Sequence, residues 1–136
     1  METLDWSNIG FGYRKTDANV RCYYKDGAWG PVEVTQEEYI NIHMAATCLH
    51  YGQDAFEGLK AFRGKDGKIR IFRLEANAER LQNSCDGIMM PRVSTELFRE
   101  MVTKVVKANE RFVPPYESGA SLYIRPLLIG TSAQVG

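Results

Sequence analysis

Ser121, Tyr123 and Arg125 recur at every second position of the otherwise apolar run from Gly119 to Gly130, and their types and spacing are the best placed in this chain to do chemistry. In a strand, side chains alternate between faces, so these three share one face while Leu122, Ile124 and Leu128 line the other. A phenol and a guanidinium then stand side by side. A half-buried guanidinium keeps its charge and needs an anion, supplied by a protein carboxylate or by the carboxylate or phosphate of a ligand. The competing reading is an edge-strand arginine whose head snorkels into water.

A second arginine sits beside a helical stripe. Leu74, Ala78, Leu81, Cys85 and Ile88 recur at spacings of four and three, which predicts a helix from Leu74 that Pro91 ends. Arg80 lies about 100° round that helix from Leu81, flanking the buried face. The ordinary reading is a solvated arginine near Glu75 and Glu79. The stretch from His50 to Gly58 mixes polar groups, aromatics and two glycines ahead of a strand. That composition suits either a pocket wall or a tight turn feeding a core strand. His43 and His50 read as hydrogen-bonded structural residues, with no carboxylates at ligand spacing, so no metal is assigned. Gly10-Phe11-Gly12 is too short for a phosphate loop, no serine sits in a nucleophile elbow, and no lysine lies in an apolar context. Nothing in the residue patterns alone marks a covalent catalyst.

The elements that must position these groups alternate between hairpins and helices. Val20 to Lys25 and Val32 to Thr35 flank a glycine-rich turn at residues 26–30, and Phe56 to Arg63 and Lys68 to Phe72 flank the Asp66-Gly67 turn. A second helix is predicted after Ser94, with Glu96 in its first turn, Leu97, Met101, Val105 and Ala108 buried, and Pro114-Pro115 closing it. The fold class expected is α+β: an antiparallel or mixed sheet with two helices packed on one face.

The chain of 136 residues suits one domain, and its formal net charge of zero offers no field for nucleic acid or anionic lipid. Cys22, Cys48 and Cys85 form neither a disulfide framework nor a zinc motif, so reduced thiols in the cytoplasm are expected. With no apolar leader and no run of about 20 apolar residues, the expectation is a soluble, unsecreted protein away from membranes.

Three strings carry a resemblance: residues 50–64, with Phe56-Glu57-Gly58-Leu59-Lys60-Ala61-Phe62-Arg63-Gly64 at their end; Asn77-Ala78-Glu79-Arg80-Leu81; and Ser121-Leu122-Tyr123-Ile124-Arg125-Pro126. Together they resemble the branched-chain-amino-acid aminotransferases, fold type IV pyridoxal-phosphate enzymes, from about Gly10 to the end. The resemblance is to the smaller, N-terminal domain: residues 1–130 as that domain, 131–136 as the start of an interdomain loop, and a C-terminal domain absent. It implies that Arg80 grips the cofactor phosphate, which suits a guanidinium fork and displaces the solvated reading. It further implies that Tyr123 and Arg125 line the substrate pocket, Arg125 orienting a carboxylate. Phe56 and Gly58 correspond to the wall around a branched side chain, Tyr51 to a tyrosine reaching the neighbouring subunit's pocket, Phe11 to an N-terminal pocket aromatic, and Val135 to a loop at the partner's site.

No catalytic residue is implied within this chain, because the family's Schiff-base lysine and the glutamate at the pyridine nitrogen lie in the C-terminal domain. The full-length protein implied is a homodimer that moves the amino group of leucine, isoleucine or valine to 2-oxoglutarate, and this chain alone is expected to be inactive. D-amino-acid aminotransferase and aminodeoxychorismate lyase share the scaffold; the Tyr123-Ile124-Arg125-Pro126 strand favours the branched-chain type. Two readings from other classes are a module stacking single-stranded nucleic acid near Arg63, Arg70 and Arg73, opposed by the zero net charge, and an interaction domain with an uncovered apolar face.

Overall fold

The computed structural model describes residues 15–133. The first hairpin is nested. β1 (Asn19–Arg21) pairs antiparallel with β4 (Glu33–Thr35), and inside them β2 (Tyr24–Lys25) pairs with β3 (Ala28–Trp29). Its tight turn is the dipeptide Asp26-Gly27, with φ of 54° and 82°. Two successive positive φ values match the twist of a two-residue hairpin, which is why aspartate and glycine stand there. The Trp29 indole N–H donates to the Arg92 carbonyl at 2.9 Å, fastening the hairpin to the helical part.

The run from Phe56 to Arg63, expected as one strand, divides at Glu57 and Gly58. Its first part, β5 (Asp54–Phe56), follows a one-turn helix that the sequence reading lacked, α1 (Thr47–His50). Its second part, β6 (Leu59–Arg63), forms the second hairpin with β7 (Ile69–Ile71), closed by Gly67 at φ 83°. The C-terminal run divides at the same level, into β8 (Leu122–Ile124) against β6 and β9 (Leu127–Ile129) against β5. Pro126 explains the break, since it has no N–H to give a ladder. The two runs stay joined there by Glu57 N–H donating to the Pro126 carbonyl at 3.0 Å.

Every strand pair is antiparallel, and the ladders form several small sheets rather than one. On the inner face, Leu59 opposes Ile124 and Ala61 opposes Leu122; outward, Lys60 opposes Tyr123 and Phe56 opposes Leu127.

The inner face is covered by α2 (Leu74–Gly87) and α3 (Thr95–Ala108). α2 buries Leu74, Ala78, Leu81 and Cys85 as expected, and also Asn77. It stops four residues before Pro91, where Met89 turns at φ 56°. α3 begins at Ser94, whose Oγ accepts from Leu97 N–H at 3.1 Å. Its buried face differs from the expected one: Phe98, Val102 and Val106 are buried, while Leu97, Met101, Val105 and Ala108 are half-buried. α3 packs against α2 and against β1 and β4, so the buried arc is wider than a single stripe and centres on the largest side chain, Phe98. A 3₁₀ turn (Glu110–Phe112) follows it before Pro114. The class is α+β.

Candidate functional site

The strings around Glu57 and Arg80 meet in space. Glu57 is buried, turned toward α2, and its carboxylate accepts from Arg80 Nε at 2.9 and 3.1 Å and from Arg80 Nη2 at 2.7 Å. Asn77, one turn earlier on the same helix, donates to Glu57 Oε1 at 2.8 Å and to the Gly58 carbonyl at 3.2 Å. A buried carboxylate is costly unless its lone pairs are satisfied, and these donors satisfy it. The hydrogen bond to Glu57, then its charge, holds the Arg80 guanidinium above its usual pKa. Glu75 and Glu79, the neighbours expected for a solvated Arg80, are not its partners; Glu75 pairs with Arg99. Sequence reasoning did not single out Glu57. The available signal was a carboxylate two residues before Leu59 in the expected strand, where the alternation demands an apolar side chain or a paired charge.

On the outer face stands a different arrangement. Arg125 Nε and Nη2 donate to the Tyr123 Oη at 3.1 and 3.0 Å, and the guanidinium carbon lies 4.5 Å from the Phe56 ring centroid. The expected alternation holds, with Tyr123, Arg125 and Leu127 outward and Ile124 and Leu128 inward. The expected half-burial of Arg125 does not. It is exposed, because this face lies opposite the helices, and its charge is met by a phenol and an aromatic face rather than a carboxylate. Phe56 and Leu127, paired across the strands, are 59% and 58% exposed, an apolar floor beside that cation.

Gly58 links the two arrangements. A Cβ there would lie 2.5 Å from Tyr123 Oη, so the phenol rests where a side chain would otherwise stand. Gly58 also lines a cleft of about 740 Å³ with Lys60, Phe72, Arg73, Asn77 and Arg80. Tyr123 and Arg125 do not line it, so the cation–phenol face and the Arg80 cleft adjoin rather than coincide. Tyr51, just after α1, is 68% exposed. Phe11 and Val135 lie outside the described residues. His50 Nε2 donates to the Met44 carbonyl at 2.8 Å and His43 Nδ1 accepts from Ala45 N–H at 2.9 Å, which gives both rings backbone partners. Every lysine of the chain is exposed.

No family model matches the chain. A branched-chain-amino-acid aminotransferase of Haemophilus influenzae is 52% identical over 136 residues, which is 100% of this chain and 40% of that protein. Along its whole length the chain is similar to branched-chain-amino-acid aminotransferases. It spans about 40% of the length of that relative. Among solved structures, the branched-chain aminotransferase of Thermoproteus uzoniensis with norvaline superposes with a TM-score of 0.63 at 26% identity, covering 88% of this chain and 35% of that one. The branched-chain amino acid aminotransferase of Thermobaculum terrenum in its PLP-form gives 0.55 at 26% identity, covering 70% of this chain and 29% of that one. The α+β architecture is thus that of the family's fold type IV domains.

Proposed function

We propose that the protein containing this chain is a pyridoxal-phosphate transaminase for branched-chain amino acids, with this chain as its smaller, N-terminal domain (residues 1–130) and 131–136 entering an interdomain loop. The observation that carries the reading is 52% identity extending over the whole chain.

The donor set fits the phosphate end of the cofactor. Arg80 spends Nε and part of Nη2 on Glu57, and among the described residues no hydrogen bond engages Nη1. It opens on a cleft that Lys60 and Arg73 also line, so the local charge favours an anion. When bound, the cofactor ring supplies the electron sink that lets the amino acid lose its Cα proton. This chain's own residues bind and orient. Arg80 holds the phosphate, Arg125 meets the substrate carboxylate with its plane set by Tyr123, and Phe56 and Gly58 wall the branched side chain. One methylene in such a wall discriminates by only about 1 to 3 kcal/mol, so leucine, isoleucine and valine are all accepted as donors, with 2-oxoglutarate as acceptor.

The covalent lysine is placed in a C-terminal domain, as the resemblance implies; the lysines of this chain are all exposed. Tyr51, Met44 and Leu49 are exposed apolar surface of the sort a second subunit covers, which supports a homodimer in which Tyr51, Phe11 and Val135 approach substrate pockets. Three free thiols fit a cytoplasmic location. Among the described residues no helix is long and apolar enough to cross a membrane.

The test uses the full-length protein. Arg80→Ala is expected to weaken pyridoxal-phosphate retention tenfold or more, about 1.4 kcal/mol, while leaving the preference for leucine over D-alanine unchanged. Unaltered cofactor affinity would remove the phosphate role. Faster turnover of D-alanine than leucine by the unmodified protein would remove the substrate class.

A further inference from the structure

The Arg80 mount contains a group that the proposed function leaves unused. We propose that Glu57 is a positioning residue: its buried carboxylate fixes the Arg80 guanidinium by the Nε–Nη2 edge and thereby reserves the Nη1–Nη2 edge for the cofactor phosphate. The inference rests on the reading that Arg80 grips that phosphate.

A guanidinium has five N–H bonds in one plane, so fixing one edge fixes the direction of the others. Glu57 takes the Nε–H and one Nη2–H, leaving both Nη1–H bonds and the second Nη2–H. The Arg80 side chain is 68% exposed, whereas Glu57 is 6% exposed, so the carboxylate is the fixed partner and the arginine the guided one. Glu57 is itself held from both sides. Asn77 donates to its Oε1 at 2.8 Å from the helix, and its own N–H donates to the Pro126 carbonyl at 3.0 Å across the strand break. Asn77 then bonds the next carbonyl, Gly58, at 3.2 Å. One asparagine therefore ties the carboxylate, the following backbone and the arginine's helix together.

The carboxylate's charge opposes a phosphate on the far side of the guanidinium. That repulsion acts through a site open to water and is screened, while the loss of orientation on removing the carboxylate is not. Orientation decides the sign: removing the carboxylate weakens phosphate binding.

The experiment titrates the full-length apoprotein with pyridoxal phosphate and, separately, with pyridoxal, which lacks the phosphate. Glu57→Gln is expected to weaken pyridoxal phosphate about tenfold, as for a side chain no longer preorganised, and to leave pyridoxal unchanged. In an Arg80→Ala background, Glu57→Gln is expected to change neither affinity further, because Glu57 acts through Arg80. Arg80→Lys keeps the charge but cannot be held by an edge, and is expected to lose a similar factor for pyridoxal phosphate alone. It carries the test if Glu57→Gln does not fold.

Tighter or unchanged pyridoxal-phosphate binding by Glu57→Gln overturns the proposal, as does an equal loss for pyridoxal or an additive loss in the double variant. Wild-type pyridoxal-phosphate affinity in Arg80→Lys overturns it too. If Arg80→Ala itself leaves pyridoxal-phosphate affinity intact, the phosphate reading falls and the positioning role falls with it. If Arg80→Ala weakens binding while Glu57→Gln does not, only the positioning role falls.

Discussion

Replacing Gly58 by alanine separates stability from site geometry. The new methyl carbon would stand 2.5 Å from Tyr123 Oη and 3.1 Å from its Cε2 and Cζ. An unstrained contact is about 3.5 Å, so the tip of the ring must move by roughly 1 Å. The ring is half exposed and free to swing outward, so the core is undisturbed. What is lost is the pair of Arg125 hydrogen bonds at 3.1 and 3.0 Å, which in an exposed setting amounts to about 1 kcal/mol in total. The Arg125 stack on Phe56, at 4.5 Å, can persist.

Alanine meets no positive-φ penalty at Gly58 and restricts the unfolded chain, which offsets about 0.4 kcal/mol or more. Melting of the full-length protein should therefore fall by only about 1 to 2 °C. Under the proposed function the consequence for turnover is larger, since a displacement of about 1 Å in a positioning group can lower kcat/KM on the order of 100-fold. Thermal melting and steady-state kinetics with leucine measure the two effects on one preparation. A loss above about 3 kcal/mol of stability would mean that Tyr123 cannot yield and the outer face is rigid. Full retention of kcat/KM would mean that the Tyr123–Arg125 pair is not in the path of the substrate.

Gly130→Ala should behave oppositely, because its Cβ would run into Thr47 Oγ1, a buried group beneath the Cys48 N–H to Gly130 carbonyl bond. A loss of about 1 to 3 kcal/mol in denaturant unfolding is expected. Phe98→Ala should cost about 3 to 5 kcal/mol and Leu97→Ala clearly less, since Phe98 is 3% exposed and Leu97 half-buried; urea unfolding of both variants reads the buried face of α3 directly. Asp66, hydrogen-bonded first by Arg70 and then by the Lys68 N–H, has its pKa lowered from 3.8 to about 2. Its folded value lies below the unfolded one, so its stabilisation is present above pH 3.8 and lost as pH falls through about 2. Asp66→Asn should flatten that part of the stability profile, and an unchanged profile would count against the Arg70 pairing.

Much of the scaffold was legible because it is written in local spacing. The α2 stripe, the Ser94 cap with Leu97 N–H, the Asp-Gly turns and the alternation through Tyr123 and Arg125 each depend on residues within a few positions of one another. The likeness to branched-chain-amino-acid aminotransferases, too, was legible from the strings around Glu57, Arg80 and Arg125. Other features depend on which faces meet. The division of the strands at Gly58 and Pro126 follows from a partner run some seventy residues away, and the turn of α3 toward Phe98 follows from its packing against α2, β1 and β4.

Residue types alone established that two arginines must be met by an anion or by water, because a guanidinium cannot shed its charge. Only the tertiary structure decided which partners they have. A buried carboxylate on the helix-covered face captures Arg80, while on the uncovered face a phenol and a phenyl ring meet Arg125 in water. The physical reason is that desolvation, which makes pairing compulsory, belongs to a face of the folded sheet and not to a position in the chain.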